Sequence, residues 1–398
     1  MNSINNRPGV ISQGIRTPII KPGDDLLEIV ISSVAEANDG KFDNGDIIGI
    51  TEAVLAISQG NFVTHQNISD DIARKFDNPK ELVIVDPIQS RNRFMDVLKA
   101  IAATPSLEKI YIVMTYPTDE VGNRLISDMD MIMNGVNPYE DVFTVKTFYS
   151  FFGEPKHPFT GINYINEYIE ACNGKAEVKL CNNFKELPEI TNYCENYLVC
   201  SIHRRNETIR SIESSCFDGE RIYDLSYIMD MSIDGSGYNK EFGLYGTNLM
   251  SGNRLKLMPR DSQAFVEEVQ AEIQTRYGKQ VEVFVYGDGA FKDPVGGIWE
   301  LADPCTTLGA TAGLKGTPKE VKLKYLASAN EGKTSEEIEA IIAEESAKRK
   351  NTEEITGDAS LGTTPRQITD LLASLADLTT GSGDRQTPVV YIKNYLNS

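Results

Sequence analysis

Apolar and polar positions alternate over residues 281–286, where Val281, Val283 and Val285 interleave with Glu282, Phe284 and Tyr286. Large side chains on both faces predict a strand covered on both sides. The pattern breaks at Gly287-Asp288-Gly289. Two glycines permit a sharp turn and leave the Asp288 carboxylate open at the strand end, where α/β proteins place their chemistry. A tight hairpin with solvated charges is the other reading. Earlier in the chain, Asp24 is placed to cap a helix running to about Asn38, with Leu26, Ile29, Val30 and Val34 on one face. DIIGIT over 46–51 predicts a strand that ends at Thr51 and Glu52, followed by a turn at Ser58-Gln59-Gly60. Thr51 and Glu52 can therefore share a cleft with Asp288, or merely cap a helix after a strand.

From residue 80 the pattern changes. ELVIVDP (81–87), SRNRFMDVLKAIAAT (90–104) and KIYIVMTYP (109–117) predict strand, amphipathic helix and strand, a βαβ unit. The polar loop from Thr118 to Asn123 follows, at a position where ligands often bind. VKLC (178–181), YLVCSIH (197–203) and RIYDLS (221–226) continue the strands, with a helix over 204–215. No GxGxxG follows the first strand, which disfavours a dinucleotide site. A helix over 263–277 leads into the 281–286 strand. Beyond Pro318 the pattern is mostly helical: a charged helix over 335–350, another capped by Thr364 and opened by Pro365 that stops near Gly381, then a terminal strand over 388–396. The division expected is 1–79, an inserted parallel-sheet domain over 80–233, 234–330, and a helical extension with its strand over 331–398.

Composition narrows the functional classes. The 398 residues carry a formal charge of −19 and no clustered basic stripe, which argues against nucleic acid and anionic membranes as partners. No apolar run approaches a membrane span, and the first residues lack the apolar stretch of a signal peptide, so a cytoplasmic location is expected. Six cysteines fit no zinc spacing, and five fall between Cys172 and Cys216, so buried reduced thiols are expected. The three histidines, His65, His157 and His203, sit beside no nucleophile elbow, which disfavours a Ser-His-Asp hydrolase. His157 and His203 read as structural, with ligand contact the alternative.

Candidate chemistry gathers in the second half. Lys292, Asp293, Glu300, Asp303 and the lone Trp299 follow Asp288 closely, and such hard acids suit a divalent cation that also holds phosphate oxygens. The Gly-, Ser- and Asn-rich stretch 234–253 can bring backbone N–H groups near phosphates, although it fits neither the Walker A nor the kinase glycine loop.

GIRTPIIKPGDDL and GDIIGITEAVLAISQG, then EFGLYGTN, LKLMPRDS and VEVFVYGDG, resemble the γ-glutamyl ligases of the deazaflavin coenzyme F-420, closest to a longer bacterial branch. The resemblance covers roughly 8–76 and 236–316 and implies a γ-glutamyl-ligase-like α/β fold interrupted by an inserted parallel-sheet, Rossmann-like domain. It implies a homodimer that uses GTP (or ATP) and two divalent cations, Mg²⁺ or Mn²⁺, to join L-glutamate to a carboxylate-bearing acceptor through an acyl phosphate. By position, Thr17, Pro18, Ile19, Ile20, Thr51, Glu52 and Ser251 would line the nucleotide. Asn248, Asp288 and Asp293 would lie at the metals, with Asp288, Lys292 and Arg16 carrying catalysis. Lys21 and Arg254 are further basic candidates for holding the two acids.

Two positions depart from the family pattern. Ile57 stands where a basic residue is expected, and Asn248 where a ligand aspartate is, so Asp234, Asp293 or Glu300 would supply the missing charge. A folate or pterin acceptor, or a nucleotide-binding module without turnover, are the competing expectations.

Overall fold

Strands drawn from the two ends and two interior stretches of the chain make one mixed sheet, in the order Ile11–Ile15, Val389–Lys393, Ile47–Thr51, Glu282–Tyr286, Thr307–Ala310. Only Ile47–Thr51 and Glu282–Tyr286 run parallel; the other pairings are antiparallel. The computed structural model describes residues 9–91, 93–120, 122–157, 160–202, 204–216, 219–287, 307–317, 321, 323–348, 367–380 and 386–396, with backbone alone at 291–292, 299–300 and 349–350.

The alternation read over 281–286 sorts side chains as a pleated strand must. Val283 and Val285 join Ile48 and Ile50 on one face, under the helices Leu26–Ala37 and Ser262–Tyr277. Phe284 and Tyr286 join Ile47 on the other, against Leu314 and the helix Ile368–Thr380. A Cβ at Gly49 would stand 2.6 Å from the Phe284 ring, so the neighbouring strand gives up a side chain to seat the aromatic. The first helix is capped by Asp25, which accepts from the Glu28 N–H, and not by Asp24 as the sequence suggested. Asp24 instead accepts from the Lys21 N–H at 2.7 Å and closes the turn before the cap.

The second sheet has the order Phe143–Thr144, Ala176–Leu180, Lys109–Met114, Glu81–Val85, Asn196–Val199, Arg221–Asp224. All but the two-residue edge strand are parallel. The first strand in the chain is central, the next three lie on one side and the last two on the other, a doubly wound order. Leu82, Ile84, Ile110 and Ile112 pack beneath the helices Met95–Ala102 and Tyr164–Ala171. Val83, Val85, Tyr111 and Val113 face Phe184, Leu187 and Ile212.

A three-stranded ribbon, Asn248–Leu249, Arg254–Lys256 and Phe62–Thr64, lies between these sheets in sequence and shares the larger core. Ile68 and Ile72 of the helix His65–Lys75, and Phe76 that ends it, belong to the same buried cluster as Leu82, Leu98, Leu255 and Leu257. That core therefore takes in residues on both sides of positions 79 and 233. The architecture is mixed α/β with one largely parallel sheet.

Between 118 and 175 the chain forms the short helices Asp128–Met133 and Val145–Phe152 besides Tyr164–Ala171. The charged helix forms over Ser335–Lys350; Thr364, Pro365 and Gly381 lie outside the described residues. Cys172, Cys181, Cys194 and Cys200 are free and buried, and Cys216 is free and partly buried. Among the described residues, no helix is long and apolar enough to cross a membrane.

Gly49→Ala should test the fit between the central strands. Overpacking of this kind costs typically about 1–3 kcal/mol. Denaturant unfolding should show that loss, and Gly49→Ala combined with Phe284→Leu should recover part of it.

Candidate functional site

The register of the two parallel strands of the mixed sheet sets Thr51 opposite Tyr286. Their C-terminal ends thus open side by side, with Glu52 leaving one and Gly287 the other. Thr51 is extended at φ −67° and ψ 140°, and Glu52 begins a short helix, Glu52–Ser58. The opening loop reaches the same corner: the Gly23 N–H donates to the Ser58 carbonyl at 2.8 Å.

Glu52 is buried, and the Lys256 ammonium donates to both its carboxylate oxygens, at 2.7 and 2.6 Å. Each group is 3 % exposed, so the pair interacts where water screens little. The ribbon delivers Lys256, which pairs across one strand with Phe62 and across the other with Asn248. Glu52 and Asn248, 196 positions apart, are in this way joined through one lysine. Sequence reading missed Lys256; its signal was a lysine between Leu255 and Leu257 in an apolar strand.

Asn61 fixes the same junction. Its side-chain amide donates to the Tyr238 carbonyl at 3.0 Å and the Met258 carbonyl at 2.7 Å, and its oxygen accepts from the Tyr238 N–H. Gly237 packs so closely that a Cβ would meet the Phe62 nitrogen at 2.6 Å. The glycine-rich stretch is therefore held against the turn that follows Glu52–Ser58.

The other expected residues distribute unevenly. Thr17 is buried, with its hydroxyl on the Pro18 carbonyl at 3.0 Å; Arg16, Pro18 and Lys21 are exposed, Ile20 is half-buried, and Ile19 is 75 % exposed. Ser251 and Arg254 are exposed at the hairpin joining Asn248–Leu249 to Arg254–Lys256, and Asp234 is exposed on a left-handed turn at φ 50°. Asp288, Asp293 and the side chains of Lys292 and Glu300 lie outside the described residues, as does His203. His157 is buried, which lowers its pKa.

Among the described residues no group of three or more His, Cys, Asp or Glu could hold a metal ion. The described donors alone do not fit a divalent ion.

A second constellation sits at the parallel sheet, at the switch point between the parallel neighbours Glu81–Val85 and Asn196–Val199, where strand order turns to the other side. Asp86, at φ 52° and 1 % exposed, accepts from the Arg204 guanidinium at 2.8 Å and from the Thr115 hydroxyl at 3.1 Å. Burial lifts its carboxyl to about 6; Arg204 pulls it down, and the charge of Glu120 adds to the rise. Glu120 is buried and accepts from the Ile202 N–H at 2.8 Å. In the polar loop, Asp119 accepts from the Asn123 backbone and side chain and so closes the turn on itself.

A family model described as F420-0:Gamma-glutamyl ligase matches residues 14–394. No curated protein matches the chain.

Two outcomes follow from these buried charges. Lys256→Met leaves Glu52 buried without the ammonium and should cost about 3–5 kcal/mol, whereas Glu52→Leu with Lys256→Met should recover much of it; equilibrium unfolding of the three proteins checks this. Asp86 titrates near 6 folded against 3.8 as its reference, so its contribution to stability falls as pH rises through that window. The stability of Asp86→Asn relative to the parent should therefore gain by up to about 3 kcal/mol between the two values, read from denaturation series at each pH.

Proposed function

Because the chain belongs to the F420-0:γ-glutamyl ligase family, a family of acid–amino-acid ligases, we propose that it joins L-glutamate to a carboxylate-bearing acceptor, with F-420-0 the first acceptor to test. The observation that carries this reading is the register that sets Thr51 beside Tyr286, with the buried Glu52–Lys256 pair next to it. Two parallel strands ending together, with a fixed buried charge pair behind them, make a rigid place for phosphate transfer.

A carboxylate is a poor electrophile, so the acceptor acid takes the terminal phosphoryl group of GTP or ATP. The glutamate amine then attacks the acyl phosphate, forming the amide and releasing phosphate. Neither step needs a histidine nucleophile. Thr17, Pro18, Ile19, Ile20, Thr51 and Ser251 are assigned to the nucleotide. Glu52, which receives the Lys256 ammonium on both oxygens, holds that charge in place and braces the nucleotide-facing turn. Arg16 and Lys292 are assigned to the anionic reactants, and Asn248, Asp288 and Asp293 to Mg²⁺ or Mn²⁺, which would neutralise phosphate charge. We further assign 80–233 as an insertion in the ligase fold and a homodimer as the working assembly. The self-contained pairing of the parallel sheet supports the insertion.

The test supplies hydroxylamine in place of glutamate, with F-420-0, folate or pterin acids, nucleotide and metal. Acceptor-dependent hydroxamate with stoichiometric phosphate is the expected result. AMP and pyrophosphate would replace the acyl phosphate by adenylation, and nucleotide turnover indifferent to every acceptor would end the ligase reading. Asp288→Asn should abolish hydroxamate formation while leaving the unfolding midpoint unchanged.

A further inference from the structure

A groove of about 550 Å³ lies at the start of the helix Ser262–Tyr277, lined by Lys240, Glu241, Arg260, Asp261 and Ser262 among others. Three independent features meet there. The first is the helix start itself. Asp261, at φ 54°, precedes the helix without a side-chain cap, and the first turn contains no acidic residue. The first main-chain bond into the helix is Phe265 N–H to the Asp261 carbonyl at 3.0 Å, so the N–H groups of Ser262, Gln263 and Ala264 have no acceptor within the helix.

The second feature is Ser262. It lines the groove at 6 % exposure, and its hydroxyl has no hydrogen-bond partner among the described residues. A buried unpaired hydroxyl at an uncapped helix start is costly unless something polar binds there.

The third is the arrangement of charge. Arg260 is held in place, its guanidinium donating to the Asn61 side chain and lying 5.2 Å from the Tyr238 ring centre. Lys240 adds a second cation, while Glu241 and Asp261 add two exposed carboxylates. The side chains sum to no net charge, which disfavours a polyanion. Opposite signs at the rim with main-chain donors at the helix start suit a zwitterion.

We propose that this groove holds the amino-acid substrate, its carboxylate on the helix start, Ser262 and Arg260 and its ammonium towards Asp261 and Glu241. The position is apt. Gly309, the cross-strand partner of Val285, lies so close that a Cβ would stand 2.6 Å from the Ser262 backbone. The groove thus lies towards the end of the sheet where Glu282–Tyr286 finishes, on the Thr307–Ala310 side of that strand. The assignment rests on the ligase reading for the identity of the amino acid, L-glutamate, but not for the existence of the site.

Calorimetric titration of the full chain with L-glutamate, without nucleotide or acceptor, tests it. Ser262→Ala should weaken binding about tenfold, the loss expected for one hydrogen bond to a charged group. Ser262→Thr, which keeps the hydroxyl, should bind close to the parent, and unchanged unfolding midpoints confirm that each variant is folded. Glu241→Gln with Asp261→Asn should weaken glutamate but not glutarate, a dianion without the ammonium that gains from the removal of two carboxylates. The proposal is overturned if the parent does not bind glutamate, if Ser262→Ala binds like the parent, if glutarate binds as tightly as glutamate, or if inorganic phosphate displaces glutamate at equal concentration. Glutamate binding of this pattern without hydroxamate formation would remove the ligase reading and leave the site. Hydroxamate formation with Ser262→Ala binding unchanged would do the reverse.

Discussion

The Glu52–Lys256 pair is the interaction on which the candidate site depends. Each charge loses hydration on burial, and each is tolerable only because the other is within hydrogen-bonding distance. The demand is geometric: the helix after Ile47–Thr51 and the ribbon strand Arg254–Lys256 must arrive together, or both charges are stranded. Asn61 and Gly237 impose the same demand with neutral groups, a fully bonded amide and a position with no room for a side chain. The 175 residues between Asn61 and Gly237, including the whole parallel sheet, intervene between these partners in sequence. The junction is therefore where a long excursion of chain is made to return to one register.

Much of this was legible beforehand, and the reason differs by element. The strands over 47–51 and 282–286 were readable because β-branched and aromatic residues fill all but Gly49 and Glu282 of a doubly covered pair. The parallel sheet was readable because its apolar runs are bounded by polar loops and separated by an amphipathic helix. Thr51 and Glu52 were rightly placed at a strand end, and the register sets that end beside Tyr286. What escaped was set by contacts between distant residues. Lys256 reads as an ordinary surface lysine until Glu52 is known to lie against it. Asp24 and Asp25 are both acceptable caps by type, and only the turn made by Lys21 decides between them. The Asp86–Arg204 pair likewise joins two loops that only the strand order brings together.

Charge is distributed against the grain of the composition. A chain at −19 repels anions on average, yet its described ionic features are local and fixed. Lys256 is buried with its partner, Arg204 is tied to Asp86, and Arg260 is braced by Asn61. Fixed dipoles and held cations stabilise developing charge without reorganisation. An acidic surface with a few anchored cations can therefore admit acidic reactants only at chosen places, which is a form of selectivity.

The position of Val389–Lys393 between Ile11–Ile15 and Ile47–Thr51 has a consequence for biosynthesis. A ribosome releases the chain in sequence order, so the inner strand of the mixed sheet emerges only after the 373 residues that follow Ile11–Ile15. Among the described residues Ile11–Ile15 has no other strand neighbour, so it waits unpaired until Val389–Lys393 has been made. The five parallel strands between Glu81 and Asp224 are complete long before then and can assemble while translation continues. The order of manufacture thus favours the middle of the protein first and closes the candidate site last. A stop codon just before residue 388 would spare the parallel sheet and deprive the mixed one of its inner strand.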